Sequence, residues 1–371
     1  MSRFSARRRR AFTLVELLVV ISIIGLLIGL LMPAIQRIRA LAMIATCANN
    51  MRQVATATQN YEARKHEYPG YLNVLTLTNG QVYTDPDSGQ KKGVSFVVPL
   101  LEDLDRPDLA RAWRTPISSQ GYSDPRVFLE VLVCKADPPT TNGGTPLSYV
   151  VNSGMADTQP TATMPRDNAD NGVWMDHFTG DSRVAAMAQG GQGGAGGQGG
   201  AGKSQGVPIV YTNADFVARG DGLTQTLLVS ENVDAVNYTD TTEARLGFVW
   251  NASGTVNTST SPPTLNPPDD NMRINRGIND AEIVVGNNQP NSKSNSQNSS
   301  ASAMTFARPS AWHPGGVNVA FCDGHIKFLD QDTDYYVYCL LMSPNGKRVR
   351  TPGTTTVLPN FNRPLDESWY K

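Results

Sequence analysis

From Phe12 to Ile35 the chain is apolar apart from one charge, Glu16, and four consecutive arginines, Arg7 to Arg10, precede it. A run of that length predicts one helix able to cross the roughly 30 Å hydrocarbon core of a bilayer. Beyond it, Ile35, Ile38, Ala42, Ala45, Val54, Thr58 and Tyr61 recur at steps of three or four residues or their multiples. That is the stripe of an amphipathic helix. The helix should continue to about Lys65 and stop before the turn signal Tyr68-Pro69-Gly70. At 1.5 Å per residue this makes a rod of roughly 80 Å. Pro33 removes one ladder hydrogen bond and is expected to bend the helix without ending it.

After Pro69 the pattern shortens. VSFVVPLLEDL and RVFLEVLVCKADP suit short strands or a short helix between Pro-rich turns, and turn residues dominate from about 148 to 180. VPIVYTNADF, TLLVSEN and LGFVWN read as strands. The Gly/Gln repeat at 188–206 and the Ser/Thr/Asn/Pro-rich stretch at 254–303 read as extended insertions into one head domain, and 351–371 as a tail. Asp323-Gly324 between Val317–Cys322 and His325–Leu329 predicts a hairpin closed by a two-residue turn, with Gly324 at positive φ. In that register Phe321 faces Ile326 and Val319 faces Phe328, and a one-residue slip would bring Lys327 onto the apolar face.

Composition narrows the function. The chain has 371 residues and a formal charge of −1, and losing the five arginines Arg3 and Arg7 to Arg10 would take it to about −6. With no basic face left for phosphates, nucleic acid is excluded as a partner. A basic flank stays cytoplasmic, which places everything beyond about residue 36 outside the inner membrane in a single-pass topology. A carboxylate such as Glu16 within a membrane helix is costly unless compensated, so it reads as functional.

The order Ala11-Phe12-Thr13-Leu14-Val15-Glu16, behind a basic leader and ahead of an apolar run, resembles the type IV prepilin signal. The resemblance implies a leader at 1–11, cleavage by prepilin peptidase between Ala11 and Phe12, and N-methylation of Phe12. It implies a transmembrane helix at 12–36, an amphipathic helix at 37–66 continuing into a head at 67–350, and registration of Glu16 against the new ammonium of a neighbouring pilin-like subunit. Cys47-Ala48-Asn49-Asn50-Met51-Arg52-Gln53, Asn60-Tyr61, Cys134, Ser148-Tyr149, Asn152-Ser153-Gly154, Asp221-Gly222 with TLLVSEN, and His313 followed by Asp323-Gly324 resemble a bacterial family of unknown function. Its members are pilin-like, similar to type II secretion pseudopilins, and carry a C-terminal H-x9-D-G motif. The fold implied is α+β, a long N-terminal helix packed on an antiparallel sheet with long loop insertions.

His313, near Asp323, could ligate a metal or serve acid–base chemistry. The alternative is that His313 and Trp312 brace the hairpin through a hydrogen bond and packing, and no second histidine stands at ligand spacing. Asp330, Asp332 and Asp334 resemble the start of a calcium loop, but Tyr335 stands where such a loop needs glycine. A solvated acidic turn is preferred, and no cofactor is expected. Residues 197–204, GQGGAGKS, match a P-loop formally, but no helix follows, so no nucleotide is expected. Four cysteines allow three pairings. The motif positions of the resemblance favour Cys47 with Cys134, leaving Cys322 and Cys339 as a second pair or as free buried thiols.

The expected function is a structural subunit without catalysis, assembled in a type II secretion or type IV pilus-like system. The alternative is a membrane-anchored extracytoplasmic protein that binds a ligand or partner.

Overall fold

The computed structural model describes residues 14–85, 91–115, 124–139, 144–155, 167–178, 209–251, 256–261, 263–265, 272–275, 307–351, 354–361 and 365–370. Ala11, Phe12 and the 197–204 segment lie outside them. The chain divides into two units, Met1–Ala45 and Thr46–Lys371.

One helix, α1, spans Leu14–Lys65 and runs through Pro33 without a break. It ends where His66 turns to φ 59° and its N–H bonds the Glu62 carbonyl, a left-handed stop that satisfies an orphan carbonyl. Within the first unit the apolar side chains face outward: Leu14 is 78% exposed, and Ile35, Ile38 and Leu41 are exposed as well. The expected stripe therefore becomes a core face only later, at Cys47, Met51, Val54, Ala55 and Thr58.

In the second unit, strands β1 (Leu72–Val74) and β2 (Gly93–Ser95) pair with each other. A five-stranded sheet carries the core in the order β5-β3-β4-β6-β7. Its strands are β3 (Tyr149–Met155), β4 (Leu227–Glu231), β5 (Gly247–Trp250), β6 (Gly316–Phe321) and β7 (Ile326–Asp330). All neighbours are antiparallel except β3 and β5, which run parallel. The fold is thus α+β and pilin-like, with a mixed sheet where a purely antiparallel one was expected.

Strand β3 occupies the stretch that turn residues dominate. Its centre is polar because Asn152 works there: its amide donates to the carbonyls of Leu227 and Met342, and its Oδ1 accepts the Gly154 N–H. Gly154, at φ +85°, forms the irregularity between Asn152 and Gly154 in the pairing to β5. In VPIVYTNADF the described residues, from Ile209 on, form no strand. Asn213 accepts the Phe216 N–H at 2.8 Å and caps a helix over Ala214–Arg219.

The β6–β7 hairpin is shifted by one residue from expectation. Ala320 pairs with Ile326, Val319 with Lys327 and Asn318 with Phe328. Phe321 accepts the Gly324 N–H and donates its own to His325, so the loop is Cys322-Asp323-Gly324 with Gly324 at φ +86°. Three-residue loops of this kind place a glycine in the left-handed region after a tight turn. The slip buries Leu329 and leaves Phe328 37% exposed. It does put Lys327 on the apolar face, where its ammonium lies 3.9 Å from the centre of the Tyr370 ring, a favourable cation–π placement.

Two stretches read as loop and tail contribute to the core. Leu265, Met272 and Ile274 are buried, as are Phe361 and Tyr370. The Phe361 ring packs against Trp250 and Tyr336.

Candidate functional site

The motif segments that carry Cys47, Cys134, Tyr149, TLLVSEN and His313 converge on one place in the head. Cys47 on α1 and Cys134 are joined by a disulfide. Tyr149 at the start of β3 donates its hydroxyl to the Cys47 carbonyl at 3.1 Å. Asn50, one helical turn after Cys47, donates to the Val133 carbonyl at 3.1 Å. The backbone is thereby held at Cys47 and next to Cys134.

Glu231 ends β4 beside them, directly opposite Tyr149 in the ladder. His313, in the loop before β6, points its Nε2 at Glu231 Oε1 at 3.2 Å and at the Cys134 sulfur at 3.5 Å. The side chains of His313 and Glu231 are each only 2% exposed. The carboxylate also takes two hydrogen bonds from Asn318 of β6, its backbone N–H at 2.9 Å and its side-chain amide at 3.1 Å. Such a set satisfies a buried acid, which would otherwise carry a large desolvation cost. Burial, and after it the Glu231 carboxylate, pushes the Tyr149 phenol above its ordinary value.

His313 thus ties the loop before the hairpin to β4 by a hydrogen bond, while Trp312 stays half-exposed. Asp323 and Gly324 do not join it. Asp323 Oδ1 accepts the His325 N–H and lies 2.6 Å from the His325 ring nitrogen. The His325 ring stacks on Phe321, its ring centre 4.2 Å away.

Sequence reasoning includes Glu231 within TLLVSEN but gives it no role, although an acid two residues after the apolar run Leu227–Val229, inside a motif, is a signal of the same kind as Glu16. The aspartates after the hairpin have other duties. Asp330 accepts the Asp332 N–H at 2.7 Å, and Asp334 caps the helix Tyr335–Met342 through the Tyr336 N–H at 2.8 Å. Among the described residues the cluster of metal-type donors is Cys47, Cys134, Glu231 and His313. Cys322 and Cys339 are free and buried, and burial raises both thiols above the ordinary range.

A separate cleft of about 740 Å³ is lined by His66, Tyr211, Asn213, Arg219, Lys347 and Arg348 among others. In the first unit, Glu16 sits in the first turn of α1. Among the described residues α1 is the one helix long and apolar enough to cross a membrane.

A family model described as protein of unknown function (DUF1559) matches residues 36–335. A second model, the prokaryotic N-terminal methylation motif, matches residues 6–32. The type IV major pilin protein PilA of Myxococcus xanthus (strain DK1622) is 32% identical over 92 residues, 25% of this chain and 38% of the pilin. The chain therefore matches well under half the length of that curated relative. No solved structure matches. Since the first model spans most of the chain and the second covers its apolar N-terminal segment, the chain belongs to the DUF1559 family and is a pilin-like member with an N-terminal methylation motif.

Proposed function

We propose that this chain is a structural pilin-like subunit without catalysis, cut by prepilin peptidase between Ala11 and Phe12 and assembled through its N-terminal helix. The system served would be a type II secretion pseudopilus or a type IV pilus-like filament. The observation that carries the reading is the unbroken display of outward-facing Leu, Ile and Val from Leu14 to Met32 around a single acid, Glu16. Such a surface requires lipid before assembly and other apolar helices after it. Before assembly the subunit would sit in the inner membrane with its head outside. In the filament, the ammonium created at Phe12 of one copy would compensate Glu16 of the next, since hydrocarbon rejects an uncompensated carboxylate.

Mass spectrometry of the mature N-terminus tests the processing step. A chain beginning at methylated Phe12 is expected, and one that retains Met1 would end the proposal. Cysteine crosslinking between N-terminal helices tests assembly: Glu16→Ala should abolish the crosslinks while the subunit remains in the membrane.

The cleft near Arg219, Lys347 and Arg348 favours a second reading, a displayed protein that binds a small anionic ligand. That protein would work as a monomer and tolerate Glu16→Ala, which separates the two.

A further inference from the structure

The disulfide uses two of the four donors in the head cluster, and the other two, His313 and Glu231, are paired with each other. Burying an imidazole–carboxylate pair seldom stabilises a fold better than packed apolar groups would. Here that pair is set directly against two sulfurs. The sulfurs of Cys47 and Cys134, Nε2 of His313 and a carboxylate oxygen of Glu231 all lie within 4.8 Å of one another.

The spacing is that of a coordination polyhedron. With bonds of about 2.3 Å to sulfur and about 2.0–2.1 Å to nitrogen or oxygen, a tetrahedral zinc site sets neighbouring S and N donors about 3.6 Å apart and N and O donors about 3.3 Å apart. His313 Nε2 is 3.5 Å from the Cys134 sulfur and 3.2 Å from Glu231 Oε1. Two edges of the tetrahedron are already formed. The sulfur-to-sulfur edge must open, from about 2.05 Å in a disulfide to about 3.8 Å around zinc, and the three remaining edges lie within 4.8 Å. The outer support is also present: Asn318 orients the carboxylate, Tyr149 holds the Cys47 backbone, and Asn50 holds the backbone next to Cys134. Outer partners of this kind fix ligands in place and strengthen metal binding.

We propose that, when Cys47 and Cys134 are reduced, their thiolates bind one zinc ion together with His313 Nε2 and Glu231, so that the head closes by disulfide or by metal but not by both. Reduction by a dithiol breaks the S–S bond and adds two electrons and two protons to the sulfurs, while the dithiol closes to its own disulfide. Zinc then displaces both thiol protons to solvent, and no electron moves in that step. In the disulfide form His313 donates its Nε2 proton to Glu231 Oε1; to bind zinc, that proton leaves Nε2 to solvent and Nδ1 takes one up, so the ring gives the metal a lone pair at no change in charge. Two thiolates, one carboxylate and the dication leave the site with a single negative charge, facing the Asn318 donors. Mixed sulfur, nitrogen and oxygen donors in a closed, buried site suit zinc over magnesium or calcium.

The test uses the full chain in detergent micelles, prepared without oxygen and metal-free. A phosphine keeps the thiols reduced; it takes up oxygen from water as it does so and does not chelate as a dithiol would. The reduced chain should bind one equivalent of zinc, and the oxidised chain none. Cobalt(II) in place of zinc should give the intense visible bands of a tetrahedral site and a sulfur-to-metal charge-transfer band. Zinc should shield Cys47 and Cys134 from alkylation in peptide maps. His313→Ala and Glu231→Gln should each weaken zinc by about tenfold or more, and the double variant Cys322→Ser, Cys339→Ser should bind as the parent does. The spectrum and the alkylation map need no variant, so a folding defect in His313→Ala leaves the test intact. Absence of stoichiometric zinc in the reduced chain, absence of the charge-transfer band, or loss of binding in the Cys322/Cys339 variant would each overturn the proposal.

Discussion

Two helical stretches among the described residues, Tyr335–Met342 and the first half of α1, lack a polar face, and they meet that condition in opposite ways. In Tyr335–Met342 all eight residues are buried inside the head. In α1, from Leu14 to Met32, Leu, Ile and Val side chains are exposed on every face. A helix without a polar face needs cover from protein or from lipid. Eight residues reach about 12 Å, too short to cross a bilayer, whereas the α1 run is long enough. Length, rather than hydrophobicity, separates a core element from an anchor.

The sharpest contrast comes from truncating one leucine in each. Leu341→Ala, at a fully buried position, should cost the head about 2–5 kcal/mol. Thermal or urea unfolding of the full chain in detergent would read it. Leu27→Ala, at an outward position of α1, should leave that transition where it is. An equal loss in both would mean that the head covers the anchor, and the comparison would fail. The converse change is Leu27→Lys, which should cost about 2.5–3.5 kcal/mol of membrane insertion. It should lower the inserted fraction without altering the melt of the head.

Acid separates the two regions again. Burial lowers His177 from its usual 6.5 to about 4, so the fold favours the neutral ring. The unfolded chain then binds more protons between those values. The stabilisation is complete above pH 6.5 and is lost as the pH falls through 4, up to about 3 kcal/mol in all. His177→Gln should flatten the pH dependence of head unfolding over that window. Membrane retention should not change across it. A wild-type profile parallel to that of the variant would remove His177 from the account.

The parts of the fold legible in the sequence are those where a single period governs. The long helix and strands β4 and β5 follow from apolar runs and stripes. Strand β3 is hidden because Asn152 and Gly154 resemble turn residues, while in the structure Asn152 satisfies carbonyls on two other elements and the two residues shape an irregular pairing to β5. Glu231 passed as the polar end of a strand because its partners, His313 and Asn318, are more than eighty residues away. The buried Leu265, Met272 and Ile274 are scattered through a polar tract and share no period. Long-range satisfaction of polar groups leaves no local pattern to read.

The smallest effect concerns glycines, and here too the regions part. A Cβ at Gly25 or Gly29 of α1 would meet nothing within 4 Å. Gly324, at φ +86°, would place a Cβ 2.7 Å from the Gln59 side-chain amide. That amide is the end of a flexible side chain and can move, although it donates to the Cys322 carbonyl at 3.3 Å. The backbone angle is the larger cost, about 1–2 kcal/mol for an alanine in the left-handed region. Gly324→Ala should therefore lower head stability by about that much, and Gly324→Asn by less, because asparagine visits this region more readily. Gly29→Ala should not shift the head transition at all. If Gly324→Ala proved neutral, the three-residue loop would have relaxed to another turn. Leu329 would then leave the core face for the position Phe328 now holds, a change that hydrogen exchange along Ile326–Asp330 would reveal.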